Sequence, residues 1–181
     1  MRNTLLICSI LIALIKFKGL FMSFESTVPD EGLSKGKWFV ASPRTDEAVD
    51  NGVARLDVMV APGHAPGFAV FVNHFPPLGG GPPTHSHKAF DEAFYVLSGQ
   101  IEVCIDGETA LVPTGSLVFV PRGTVHAFRN PSSEPATLLV VTTTPGAIDL
   151  ILGMSEAGRS PETMQAHFAK HDSQVDGPPL G

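Results

Sequence analysis

Between residues 37 and 145 the chain alternates short apolar runs with turns. Trp38-Phe39-Val40 opens the series, and Ala54 to Val60 alternates weakly. Phe68 to Phe75 is β-branched and aromatic, and Ala93 to Leu97 follows. From Gln100 to Ile105 the alternation is clean, with Ile101, Val103 and Ile105 on one face and Gln100, Glu102 and Cys104 on the other. Asp106-Gly107 is a strong hairpin turn signal. Leu117 to Val120 and Ala136 to Thr143 complete the set. Turn signals recur about every ten residues, which predicts an all-β sandwich or barrel. No segment repeats another, so one barrel is expected.

The pattern changes at both ends. Ala147 to Met154 predicts a short helix stopped by Gly158. Ser160-Pro161-Glu162 predicts a second helix, with Ser160 as N-cap, running to about Lys170. Gly177-Pro178-Pro179-Leu180 cannot continue a helix. At the other end, Arg2 precedes an apolar run from Leu5 to Ile15, and Lys16 and Lys18 follow it. One reading is a signal peptide or short anchor, which would export the protein or tether it to a membrane. Against it, lysines stand where a small-residue cleavage site belongs, and a span needs about 20 apolar residues. The other reading starts translation at Met22 and places the protein in the cytoplasm. The expected organisation is an apolar segment at 1–21, a flexible lead-in at 22–36, the barrel at 37–146, and helices with a tail at 147–181.

Composition narrows the function. The 181 residues are long enough to bury about two-thirds of the unfolded surface without staples. Charged residues are only 17%, and the 18 glycines and 16 prolines suit short strands and many turns. A net charge of −6, with no cluster of Lys and Arg, argues against nucleic acid as a partner. The two cysteines do not suggest a disulfide: Cys8 lies in the N-terminal segment, and Cys104 reads as a small apolar filler in a strand.

Two stretches carry the chemistry. The first runs Gly79, five residues, His85, one residue, His87, four residues, Glu92, six residues, Gly99. The second runs Gly115, five residues, Pro121-Arg122-Gly123, two residues, His126, three residues, Asn130. His85 and His87 are two apart, so on a strand both rings leave one face. Glu92 lies at an odd offset from His87 and joins them only if the chain bends within residues 88–91. Asp91 has the parity of an unbent strand and is the rival ligand. Glu92 is preferred because Phe94 and Val96 continue its face as an apolar inner row. Three neutral imidazoles and one carboxylate suit a single divalent Fe, Mn, Co, Ni or Zn ion.

Both stretches match the two motifs of the cupin superfamily at every defined position, and the resemblance covers roughly residues 73–145. It implies a jelly-roll β-barrel with short C-terminal helices, and His85, His87, Glu92 and His126 as the metal ligands. The presence of Glu92 is unlike the thiol dioxygenases, which generally use histidines alone. A narrower resemblance, to the quercetin dioxygenase-like single-domain cupins, rests on Pro82-Pro83-Thr84-His85-Ser86-His87, Asp91-Glu92-Ala93-Phe94-Tyr95-Val96-Leu97 and the run from Phe119 to Asn130. It implies a metal-dependent dioxygenase that cleaves an aromatic or enol substrate with O2, Glu92 serving also as the catalytic base. The alternatives are another metal-dependent cupin enzyme, such as an isomerase or decarboxylase, or a cupin that binds a small molecule without turnover. Phe94 and Phe128, each two residues beyond a proposed ligand, are expected to line the substrate pocket or else to be barrel core. Tyr95 faces the opposite way. His74 is expected to be structural or exposed, and His64, His167 and His171 to face solvent. Related single-domain cupins often pair, so a homodimer is expected.

Overall fold

The computed structural model describes residues 40–42, 48–61, 63–157 and 160–181. The apolar segment at 1–21, the lead-in at 22–36, Lys37 to Phe39 of the expected first run, and the expected helix stop at Gly158 lie outside the described residues. Among the described residues no helix is long and apolar enough to cross a membrane.

Among the described residues eleven strands form two antiparallel sheets. The first holds β1 (Val49–Asp50), β2 (Arg55–Val60), β3 (Ala69–Phe75), β10 (Ala136–Thr142), β5 (Glu92–Ser98) and β8 (Leu117–Val120), in that spatial order. The second holds β11 (Ser173–Pro179), β4 (Pro83–His87), β9 (His126–Arg129), β6 (Gln100–Ile105) and β7 (Glu108–Pro113). This is the all-β barrel expected from the run pattern, in the jelly-roll form that the cupin resemblance implied. Its interior comes from the alternation itself. Leu56, Phe71, Phe94, Val96, Leu138 and Val140 of the first sheet pack against Ile101, Val103, Val112 and Phe128 of the second. Tyr95 and Leu97 of β5 point the other way and are exposed.

Local signals formed the elements they predicted. Asp106 and Gly107 both take positive φ, at 48° and 85°. That matches a two-residue turn whose twist suits the β6–β7 hairpin. Ser160 caps α3 (Pro161–Ala169), its Oγ accepting from the Thr163 N–H at 3.2 Å. The helix expected from Ala147 is broken at Gly153 into α1 (Ala147–Leu152) and α2 (Met154–Ala157).

The stretch at 147–181, expected as helices and a tail, also supplies a strand to the second sheet. Ser173–Pro179 is β11, and it pairs with β4 through Ser173↔His87, Gln174↔Ser86 and Val175↔His85. An edge strand tolerates Pro178 and Pro179, which lack the N–H that a central strand must donate. Asp172, at φ 51°, makes the turn out of α3, and its carbonyl accepts from the Lys88 N–H at 2.8 Å. The helices pack beside β11, where Ala147, Leu150, Met154 and Phe168 bury Phe90 in a second apolar cluster. Burial of each large side chain there contributes about 1.5–3 kcal/mol. The C-terminal 30 residues or so therefore close the end of the barrel where β4 gives way to β5.

Candidate metal centre

His85 and His87 leave the same face of β4, as their spacing requires. His126 opens β9 and is the register partner of His85, which brings the two ring centroids to 4.2 Å. Glu92 opens β5 in the opposite sheet, on the inward row it shares with Phe94 and Val96. The chain does turn between His87 and Glu92, because β4 and β5 belong to different sheets. All four side chains are buried, and one ligand atom from each lies within 4.8 Å of the others.

The hydrogen-bond arrangement constrains what the cluster could hold. His85 Nδ1 lies 2.6 Å from the Pro83 carbonyl and His126 Nδ1 lies 3.0 Å from the Thr124 carbonyl. Carbonyls only accept, so both rings carry their proton on Nδ1 and turn Nε2 inward. His87 Nδ1 lies 2.8 Å from Ser173 Oγ. Inside, Glu92 Oε2 is 3.0 Å from His126 Nε2 and 3.4 Å from His87 Nε2. A carboxylate oxygen against inward lone pairs is repulsive unless a proton or a cation sits between them. Burial pushes the His85 imidazole well below its ordinary range, and the neighbouring His126 and His87 push the same way. Burial alone would raise the Glu92 carboxyl, but His87 and His126 outweigh it and hold it below the usual carboxylate range. His126 moves up, the Glu92 carboxylate overcoming the effect of burial. Three imidazoles and an ionised carboxylate, turned to one point, form a donor set that fits a divalent transition metal.

Asp91, the rival ligand, is engaged elsewhere. Its Oδ1 accepts from the Arg122 backbone N–H at 2.8 Å and from Nε at 3.0 Å, and its Oδ2 accepts from Nη2 at 2.7 Å. Its own N–H donates to Thr143 Oγ1 at 2.9 Å. Asp91 thus clamps the corner before Glu92 to the Pro121-Arg122-Gly123 turn, whose Gly123 N–H donates to the His87 carbonyl at 2.6 Å. The Arg122 side chain, then its backbone N–H, hold the Asp91 carboxyl down at about 2. A depressed carboxyl stabilises the fold above its unfolded value near 4, and that contribution is lost as pH falls through about 2. Going from about pH 5 to about pH 2 should cost the wild type more stability than Asp91→Asn, which has no carboxylate to protonate there. Added salt should narrow the gap, since Arg122 is exposed. Urea unfolding at both pH values measures it, and equal losses in the two proteins would refute the clamp.

Phe94 and Phe128 belong to the barrel core. Phe94 also faces the site, its ring 6.0 Å from His126 and 4.9 Å from Phe128. His74 bonds the buried Asp57 at 2.7 Å, a structural role. His64, His167 and His171 are each half-buried rather than fully solvent-facing, and His167 Nε2 bonds the Leu150 carbonyl at 2.8 Å. Three neighbours of the site were not legible in the sequence. Phe90 stacks on His87 at 4.2 Å and 22°. Phe168 meets His85 edge-on at 5.4 Å and lies parallel to His87 at 6.5 Å. Ser173 is the third. None sits at a motif spacing, and α3 and β11 reach the site only through tertiary packing.

The two sheets form a cupin-type jelly roll, and residues 71–142 match the family model described as a cupin domain. Over 66 residues it is 38% identical to the quercetin 2,3-dioxygenase of Bacillus subtilis, an alignment that covers 36% of this chain and 19% of that enzyme. Over 118 residues it is 29% identical to germin-like protein 1-4 of Oryza sativa, covering 57% of this chain and 48% of the relative. An uncharacterised protein of Streptomyces coelicolor is 40% identical over 59 residues, 32% of this chain and 56% of that one. The chain thus spans about half, or less, of the curated relatives it matches. Among solved structures, a double-stranded β-helix protein of Klebsiella pneumoniae superposes with a TM-score of 0.48 at 24% identity, covering 56% of this chain and 88% of that one.

Proposed function

We propose that the protein is a metal-dependent dioxygenase that opens an aromatic or enol substrate of the flavonol type with O2. The observation that carries the reading is the Glu92 carboxylate, ionised, buried and 3.0–3.4 Å from the inward Nε2 atoms of His126 and His87. His85, His87, His126 and Glu92 would hold one divalent Fe, Mn, Co, Ni or Zn ion. When bound, the ion supplies Lewis acidity that makes a substrate hydroxyl easier to ionise. Glu92 then accepts that hydroxyl proton, the role its position and charge suit. His85, His87 and His126 stay neutral, their Nδ1 protons held by outer acceptors. Phe90, Phe94 and Phe168 wall the cluster with rings, which favours a flat apolar substrate and excludes water. If both atoms of O2 enter the products, no outside reductant is required. The similarity to the Bacillus subtilis enzyme supports the same substrate class.

The test is to add a flavonol to the metal-loaded protein without oxygen and then admit oxygen. Flavonol absorbance should hold steady and then decay once oxygen enters. Consumption before oxygen would replace the reading with an isomerase or decarboxylase. Saturable binding with no product would replace it with a binding protein.

A further inference from the structure

We infer that Ser173 is a positioning residue for the metal site, holding His87 in the tautomer that turns its Nε2 lone pair toward Glu92. The inference rests on the metal reading above. Of the three histidines, His85 and His126 find their Nδ1 acceptors two residues away on their own strands, at Pro83 and Thr124. His87 has no such local carbonyl contact and relies on a hydroxyl 86 positions away in the chain. A hydroxyl can donate or accept, so by itself it would leave the tautomer undecided. The Ser173 Oγ–H is directed to the His171 carbonyl at 3.0 Å. With its single proton engaged there, Oγ faces His87 with a lone pair and accepts from Nδ1–H at 2.8 Å. The relay runs from the His87 N–H to the Ser173 hydroxyl to the His171 carbonyl.

Packing fixes the remaining freedom of the ring. Phe90 covers one stretch of it at 4.2 Å, and Phe168 lies parallel at 6.5 Å. Ser173 is 5% exposed and is the register partner of His87 across the β11–β4 ladder, so water does not compete for the bond. The α3–β11 segment therefore completes the site that the two motif stretches begin. A partner that fixes the tautomer of a metal-ligating histidine typically changes affinity by about 10–100-fold when removed.

The experiment uses the full chain as wild type, Ser173→Ala and Ser173→Thr, with two readouts. Nitrogen-15 chemical shifts and proton couplings of the His87 ring, in metal-free protein, report which nitrogen carries the proton. Competition between a chelator and the protein for Zn2+ or Co2+ reports affinity. Wild-type His87 should be protonated on Nδ1. Ser173→Ala should populate both tautomers and bind metal about 10–100-fold more weakly. Ser173→Thr keeps the hydroxyl and should restore affinity to within about threefold of the wild type, which a purely steric role for this position does not predict. A wild-type ring protonated on Nε2 overturns the inference without any variant, as does an alanine variant that keeps both the tautomer and the affinity. If the wild type binds no metal at all, the metal reading fails separately, while the ring spectrum still decides whether Ser173 sets the tautomer.

Discussion

Replacing Glu92 with glutamine is expected to lower turnover by at least about 100-fold while leaving the barrel folded, the range that loss of a general base produces. The two side chains have the same length and nearly the same volume, so the inward row with Phe94 and Val96 stays packed. The charge is what changes. Glu92 is only 5% exposed and is the sole anion in a cluster with three imidazoles. A neutral amide at the same place presents either a weaker acceptor to the cation or an N–H to the lone pairs of His87 and His126, which sit 3.4 and 3.0 Å from the present oxygen. Neither can take the substrate proton. Oxygen consumption by metal-loaded protein gives the rate, metal content per chain shows whether loading survived, and near-ultraviolet circular dichroism checks the fold. A variant that loads metal and turns over within about threefold of the wild type would remove Glu92 from the chemistry.

A second large effect is expected far from any charged group. Gly81→Ala should cost about 3 kcal/mol or more of stability, at the upper end of what overpacking does, and lower the melting temperature by about 10 °C. A Cβ built on Gly81 would lie 1.6 Å from the Phe128 carbonyl oxygen and 2.8 Å from its carbon. That obstacle is backbone of β9, so no rotamer change relieves it. The connection between β3 and β4, which carries Gly81, and β9 must move apart. β4 and β9 share the register pair His85↔His126, so this displacement falls on the candidate metal cluster as well. Metal affinity should drop along with stability. Gly80→Ala is the control, since a Cβ there meets nothing within 4 Å. Its melting temperature should stay within a degree or two of the wild type, as surface changes of about ±0.5 kcal/mol allow. If the two alanines behave alike, the close approach at Gly81 does not set the spacing of the two strands.

Much of this was legible in the chain itself, for a definite reason. Strand alternation, turn chemistry and helix caps act over two to four residues, so the local sequence carries them. That is why the inward row of Ile101 and Val103, the Asp106-Gly107 turn and the Ser160 cap stand where the pattern places them. It is also why His85 and His87 share a face. Some elements carried no such signal. β7 is exposed at every position but Val112, so it shows no apolar alternation to read. β11 contains a glycine and two prolines and becomes a strand because β4 has an unpaired edge to offer. The parity of Glu92 pointed to a bend but not to its nature, which is a crossing from one sheet to the other, pinned by Asp91 and Arg122.

The sequence by itself thus determined the barrel class, the four side chains of the candidate cluster through their motif spacing, and the shared face of His85 and His87. Only the tertiary structure decided what surrounds them: Phe90 and Phe168 against the rings, Ser173 behind His87, and the C-terminal strand beside β4. Contacts between residues 86 positions apart depend on how the sheets and helices pack. A periodicity of two or of three to four residues says nothing about which distant segment fills an open edge.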